Sequence, residues 1–355
     1  MNHYKQNISC NMNKYKLIIV FLALFCSAKA QQKPYYTQYI LNNYILNPAL
    51  SGIENYTDVK LSYRNQWSGI DGAPVTMYMS IQGPINKQDY RTNATSYQIP
   101  GENPRGEAYW EDYTAAEPHS GVGLIAINDK TGYINRTSVY GTYAYHKGIS
   151  GRTSLALGFQ AGLTNVSLDR SKIVWGTLDP NDPAIGYDNG ELKKLTPEVG
   201  AGLWLYSRDY FLGASALNII PGKAKFVKTG SNYGTTFSPQ YFLTGGYRFL
   251  AGGDMSILPS VLIQAVPTLP IQLHLNLKVQ YMDLVWFGGS YRATDELGGF
   301  AAMAGINVSN TFNVGYSYDI SNSSRLQNYT KGTHEIVLGF LINNKYGDTC
   351  PRNVW

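Results

Sequence analysis

The chain has 355 residues, of which 44% are hydrophobic and 15% are charged, and its formal net charge is +5. Four of its lysines lie within residues 1–30, so removal of that stretch reduces the charge to +1, which leaves no basic excess for binding nucleic acid. The same removal leaves Cys350 as the single cysteine, which excludes an intramolecular disulfide framework.

Residues 1–30 have the features of a secretory signal peptide. A lysine-bearing end precedes an apolar core at residues 17–26, and Ala28-Lys29-Ala30 forms an A-x-A cleavage site. The apolar core is too short to cross a membrane as a helix. We therefore predict cleavage after Ala30.

Residues 31–56 do not have the pattern of a strand. Apolar side chains cluster between Tyr39 and Leu46, which predicts a short helix or an irregular amphipathic segment that ends at Asn47-Pro48. We expect this stretch to form an N-terminal periplasmic segment.

Residues 270–282 alternate cleanly between apolar and polar side chains. The apolar set is Ile271, Leu273, Leu275, Leu277, Val279 and Tyr281, and the polar set is Gln272, His274, Asn276, Lys278 and Gln280. A strand that crosses the tilted wall of a membrane barrel needs about 9–11 residues, whereas strands of soluble proteins usually have about 5–6. The pattern therefore favours a transmembrane strand over a strand of a soluble all-β protein.

Similar patterns predict fourteen strands between residues 57 and 342. They are 57–67, 73–83, 121–128, 135–146, 152–164, 197–206, 209–218, 239–250, 254–265, 270–282, 284–293, 298–307, 311–319 and 333–342. We predict an all-β fold, a transmembrane antiparallel β-barrel of about fourteen strands, followed by a C-terminal tail at residues 343–355.

The lengths of the links agree with this count, with one exception. An even number of strands places both termini in the periplasm, where the turns of outer-membrane barrels are short. The links on that side are short apart from residues 84–120, which are polar and long. That stretch is either a periplasmic insertion or evidence of a missed strand.

Several motifs mark the ends of this predicted barrel. They are Asn47-Pro48-Ala49-Leu50-Ser51-Gly52, Arg64-Asn65-Gln66-Trp67, Gly72-Ala73-Pro74-Val75-Thr76, Gly332-Thr333-His334-Glu335-Ile336 and the tail Cys350-Pro351-Arg352-Asn353-Val354-Trp355. In this order, they resemble the PorP/SprF family of type IX secretion system membrane proteins, and the resemblance covers nearly the whole mature chain.

The resemblance implies an outer-membrane barrel of a Gram-negative bacterium of the Bacteroidota. Members of the family support secretion or surface anchoring of large proteins that carry a C-terminal sorting domain, and some serve gliding motility. The implied partners are such a secreted protein, other type IX secretion subunits and outer-membrane lipid. The candidate interaction or assembly residues are Asn47, Pro48, Arg64, Trp67, Cys350 and Trp355.

A passive porin or small-solute channel is the alternative. Polar side chains such as His274 and Lys278 suit the lining of a water-filled lumen. Conductance separates the two hypotheses, and a lumen filled by the N-terminal segment would argue against a channel.

An enzyme is a weaker alternative, since no H-E-x-x-H or G-x-S-x-G motif is present. A change at His274 would test this hypothesis.

A calcium site is not indicated either. The spacing of Asp179, Asp182 and Asp188 differs from that of an EF-hand loop, and their sequence indicates a plain loop. We predict no cofactor and no metal.

Overall fold

Fourteen antiparallel strands close into a barrel, which confirms the fold predicted from the sequence. The computed structural model describes residues 37–87, 115, 117–168, 192–220, 222–225, 234–251, 255–267, 269–281, 284–293, 298–309, 311–321 and 328–344. Alternating residues supply the outer and inner faces of each strand, which is why the period of two was informative.

The described part of the chain contains seventeen strand segments, which build fourteen wall strands and one separate hairpin. The segments are β1 (Thr57–Asn65), β2 (Val75–Ile85), β3 (His119–Thr131), β4 (Ile134–Ser150), β5 (Thr153–Leu168), β6 (Leu192–Ser207), β7 (Tyr210–Leu217), β8 (Gly222–Lys225), β9 (Gly234–Phe237), β10 (Gln240–Tyr247), β11 (Phe249–Ala251), β12 (Met255–Ala265), β13 (Gln272–Tyr281), β14 (Val285–Ala293), β15 (Gly299–Ser309), β16 (Phe312–Ser321) and β17 (Thr333–Ile342). The hairpin β8–β9 was not predicted, because its strands are only four residues long and carry no apolar alternation.

β10 and β11 are two parts of one wall strand. Gly246 pairs with Ser260 and Phe249 pairs with Ile257, so the register against β12 continues unchanged across the gap. Pro259 lies opposite this gap, and proline has no N–H to donate to a neighbouring strand. The missing donor accounts for the interruption.

The first and last strands close the barrel. β1 pairs with β17 from Thr57–Ile342 to Asn65–His334, and β2 pairs directly with β3. No wall strand therefore lies between β2 and β3, so the predicted count of fourteen wall strands stands, and most of the long polar stretch at 84–120 lies outside the described residues.

The two ends of the barrel differ in their connections. Links 151–152, 208–209, 252–254, 282–284 and 310–311 lie at one end, which we call the short-turn end, together with link 86–118. Links 169–191, 218–239 and 322–332 lie at the other, the long-loop end. β4, β5 and β6 have 16 or 17 residues, which is more than a strand needs to cross a bilayer. In the sequence, the alternation of apolar and polar residues ends before these strands do.

The wall is apolar outside and polar inside. On β13, Leu275 and Leu277 are 47% and 48% exposed, whereas His274 and Asn276 are 4% and 6% exposed. An apolar outer face and a polar inner face are typical of strands that cross a membrane. Within the part of the chain that the structure describes, no helix has the length and apolarity to traverse a bilayer.

Candidate functional site: a luminal plug and an ion-paired seam

Residues 37–56 lie inside the barrel, and we call them the plug. They form three short 3-10 helices, η1 (Thr37–Leu41), η2 (Asn43–Ile45) and η3 (Pro48–Leu50). Leu50 and Ile53 are 2% and 3% exposed and belong to one apolar cluster with wall residues such as Trp204. We expected residues 31–56 in the periplasm; their described part instead enters the lumen, where the wall covers its apolar side chains.

Asn47 fixes the third helix of the plug to the wall. Its side chain accepts a hydrogen bond from the Ala49 N–H (3.0 Å), which caps η3, and Pro48 follows at the first helical position. Its Nδ2 donates to the carbonyl oxygens of Leu203 (2.9 Å) on β6 and Ala214 (3.3 Å) on β7. One buried amide therefore both shapes the plug and attaches it to two wall strands.

The wall is shaped to receive η3. A Cβ atom at Gly158 on β5 would overlap the backbone of Ala49, and a Cβ at Gly121 on β3 would overlap the backbone of Ser51. Glycine at these positions allows the backbones of plug and wall to approach closely. The wall and the plug are thus complementary surfaces.

Two histidines hold the turn that follows η3. His146 Nε2 on β4 donates to the Ser51 carbonyl (2.8 Å), and His119 Nε2 on β3 donates to the Gly52 carbonyl (3.1 Å). Their rings stack with centroids 4.6 Å apart and planes 3° apart. Gly52 has φ +75, so the turn requires the left-handed conformation that favours glycine.

Two tyrosines of the plug make polar contacts deeper in the lumen. The Tyr44 hydroxyl lies 2.6 Å from Thr142 Oγ1 on β4, and the Tyr39 hydroxyl is hydrogen-bonded to Asn276 on β13. Burial raises the pKa of Tyr44 to about 12 and raises the pKa of Tyr39 above its ordinary value. Both phenols are therefore neutral at physiological pH.

Arg64 lies at the centre of an ion-pair network on the inner face. Its Nη1 is 3.1 Å from Glu335 Oε2 on β17, and its Nη2 is 3.3 Å from Asp319 Oδ2 on β16. Arg292 Nη2 on β14 lies 2.8 Å from the same Asp319 oxygen. The structure thus places Arg64 on the lumen side, as the alternation indicated, and connects it to the last strand. We call this network the seam.

Trp67 lies in the β1–β2 link at the long-loop end. The backbone N–H of Trp67 donates to Thr333 Oγ1 (3.1 Å), and the backbone N–H of Ser68 donates to the Gly332 carbonyl (2.8 Å). Trp67 has φ 53, an uncommon value for a residue with a side chain. The motifs 64–67 and 332–336, far apart in sequence, therefore meet at the rim of the barrel.

Four of the named sequence positions lie outside the described residues. They are the cleavage-site residues Ala28 and Ala30 and the tail residues Cys350 and Trp355. The aspartates 179, 182 and 188 also lie outside them. The structure thus brings Asn47 and Pro48 together in the plug and Arg64 and Trp67 together near the seam.

A cavity of about 60 Å³ lies beside the plug, towards the long-loop end. Tyr39 and Leu46 of the plug, Asn218 after β7 and His274 on β13 contribute to its lining. The His274 ring meets the Tyr39 ring edge-on, with centroids 5.9 Å apart. His274, the residue of the enzyme hypothesis, therefore contacts the plug.

Sequence reasoning missed the wall residues that hold the plug, above all His119, His146 and Thr142. One signal was available in the inward-facing positions of β4 and β5, where Thr142, Ala144, Ala156 and Gly158 are small. Small inward side chains on neighbouring strands leave space in the lumen, and space inside a folded protein is normally filled.

These observations define a class of protein, a plugged β-barrel of the outer membrane, because a closed antiparallel barrel with an apolar exterior is the architecture that spans that membrane. The model of the type IX secretion system membrane protein PorP/SprF matches residues 28–340. The chain belongs to this family and is a membrane component of type IX secretion. A comparison with curated proteins yields no match.

Solved structures resemble the chain only distantly. The toluene transporter TbuX of Ralstonia pickettii is 10% identical with a TM-score of 0.46, and the match covers 86% of this chain and 93% of that one. The outer membrane protein Omp33 of Acinetobacter baumannii is 9% identical with a TM-score of 0.45, covering 82% and 100%. Likenesses at this level carry no argument about function.

Proposed function

We propose that this protein is a plugged scaffold in the outer membrane of a Gram-negative bacterium, which holds a secreted partner with a C-terminal sorting domain. Family membership supports a role in type IX secretion, and the position of the plug supports a scaffold over a channel. The single observation that carries the proposal is the complementary fit of plug and wall. His119 and His146 of the wall bind the plug backbone, and Asn47 of the plug anchors its third helix to the wall.

The lumen argues against the porin alternative. The third helix of the plug lies in the lumen against the inner face of β3, β4, β5 and β6, where Ala49 and Leu50 are 0% and 2% exposed. A passive channel needs a continuous water-filled path, and a wall with fitted polar and apolar contacts to the plug obstructs one. Conductance of the purified full chain in planar bilayers tests this directly, and a large, stable open-channel current would favour the porin.

The proposed roles of the candidate residues follow from their positions. Asn47 and Pro48 assemble the plug, whereas Arg64 and Trp67 order the closure of the barrel and its long-loop rim. For Cys350 and Trp355 we propose docking of the tail on a periplasmic subunit of the secretion system.

Affinity capture of the tagged protein from gently solubilised membranes tests the partner. We expect mass spectrometry to identify a large protein with a C-terminal sorting domain, secretion subunits, or both. A matched chain that ends at residue 349 distinguishes the contacts of the tail from those of the rest of the protein. We expect this shortened chain to lose the periplasmic subunits and keep the secreted protein. Recovery of the barrel alone, under conditions that preserve other type IX complexes, would contradict the scaffold role.

A link to gliding motility belongs to the same proposal. If the secreted partner is a surface adhesin, the scaffold would attach it to the cell during movement. Deletion of the gene should then abolish spreading on agar, and the wild-type gene should restore it. Unchanged spreading would restrict the role to secretion or anchoring.

A further inference from the structure

A groove of about 430 Å³ runs along the outer face of the wall, where β17, β1, β2 and β3 are adjacent. Its apolar sides are formed by Leu61, Tyr63, Met77, Met79, Ile336 and Leu338. Ala126 on β3 lies directly opposite Met79 on β2, and its small side chain leaves the space between the larger ones open.

One end of the groove is polar. Asn128 and Thr137 line the end nearest the long loops, and Asn128 Nδ2 donates to Thr137 Oγ1 (2.9 Å) and to Asn135 Oδ1 (3.0 Å). Lys130 is exposed and lies two residues further along β3, about 7 Å beyond Asn128. The groove therefore changes from apolar to hydrogen-bonding along its length, and a cation lies just beyond its polar end.

The outward-facing strand residues around this end contribute no carboxylate among those that the structure describes. Asp129 on β3 faces inward, where it is 7% exposed and accepts a hydrogen bond from Thr76 Oγ1 (2.7 Å). Asp71 lies in the β1–β2 link above the strands. His334, which neighbours the groove on β17, is bonded to the Tyr316 hydroxyl (2.7 Å) and adds a further polar group.

We infer that this groove is a binding site for one anionic phospholipid-like amphiphile of the leaflet on the long-loop side. An acyl chain lies against Ala126 and the methionines of β2, and the phosphate-bearing headgroup reaches the Thr137 hydroxyl, which Asn128 orients, and Lys130. Lipid tails already surround the wall, so the acyl contacts alone discriminate weakly. The cation and the Thr137 hydroxyl supply selectivity for a negative headgroup.

The site is independent of the proposed scaffold function and rests only on the placement of the barrel in a membrane. Native mass spectrometry of the full chain in mild detergent counts bound lipid, with phosphatidylglycerol and phosphatidylethanolamine of identical acyl chains as probes. We expect one tightly retained phosphatidylglycerol and a preference of about fivefold over phosphatidylethanolamine, the factor given by one basic residue at an anionic headgroup.

Three variants test the site. Ala126→Trp fills the groove and should abolish the retained lipid, whereas Ala302→Trp on the outer face of β15 should leave it unchanged. Lys130→Gln leaves the groove intact and should remove the preference for phosphatidylglycerol while a lipid still binds. If Ala126→Trp fails to fold, Ala126→Leu and Lys130→Gln provide the same test.

Two results would overturn the inference. One is equal lipid retention by wild type, Ala126→Trp and Ala302→Trp, which would indicate only a non-specific shell of lipid. The other is a preference for phosphatidylglycerol that Lys130→Gln leaves unchanged, which would mean that the headgroup lies elsewhere.

Discussion

Arg64 on β1 and Glu335 on β17 are direct cross-strand partners at the closure of the barrel, with Arg64 Nη1 3.1 Å from Glu335 Oε2. They are 2% and 1% exposed. Asp319 and Arg292 extend the network across β16 and β14. The strands furthest apart in the chain are thus joined by buried charges that balance one another.

Removing one charge from the seam should therefore destabilise the barrel. Arg64→Met removes the guanidinium that lies beside the buried Glu335 carboxylate, and loss of one member of a buried ion pair typically costs about 3–5 kcal/mol. Urea unfolding of the detergent-solubilised protein, followed by tryptophan fluorescence, measures the change. The double variant Arg64→Met/Glu335→Gln should be more stable than the single variant, because it removes a buried negative charge together with the buried positive charge.

The strands were predictable because the membrane imposes a simple rule on them. Every crossing residue faces either lipid or lumen, so Leu275 and Asn276 reveal their positions by polarity alone. The ends of β5 and β6 were predicted too short, because above the bilayer the alternation disappears while the backbone pairing continues. The position of Arg64 followed from the same alternation, but its partners on β16 and β17 depended on the closed topology.

The plug was not predictable from its own residues. Its apolar positions between Tyr39 and Leu50 suit any covered surface, and nothing local to them distinguishes a periplasmic partner from the inner wall of the same barrel. The information that decides between them lies in the wall, where Gly121 and Gly158 leave room for the plug backbone. Both glycines are far from the plug in the sequence. Only the closed fold brings these positions together.

Gly158 is expected to control whether the plug stays in place. The side chain of Gly158→Val would overlap the backbone of Ala49, so the plug must shift away from β5. We expect higher conductance in planar bilayers than for wild type. Ala161→Val is the matched control, because Ala161 faces outward on the same strand. Equal conductance of the two variants would show that the plug does not close the lumen.

Asn47 allows its two roles to be separated. Asn47→Asp keeps the oxygen that caps η3 but loses the Nδ2 donor to Leu203 and Ala214, whereas Asn47→Ala loses both. Loss of the cap alone typically costs about 1 kcal/mol, and loss of the two hydrogen bonds to the wall adds to it. Hydrogen exchange of the amides at residues 47, 49, 50 and 51 should accelerate in both variants. Unchanged exchange in Asn47→Asp would mean that the wall contacts do not hold the plug.

Leu277 tests the membrane placement on which the fold assignment depends. It is 48% exposed near the middle of β13, so Leu277→Arg should cost about 2–4 kcal/mol, the range for a cation at the bilayer midplane. Leu284 is 52% exposed but lies in the short turn after β13, where the same change should cost only about 0–1 kcal/mol. Folding into lipid vesicles, followed by the heat-dependent shift in gel mobility, compares the two. A larger loss for Leu284→Arg than for Leu277→Arg would place the bilayer elsewhere on the wall, because the penalty follows depth in the hydrocarbon and not exposure of the side chain.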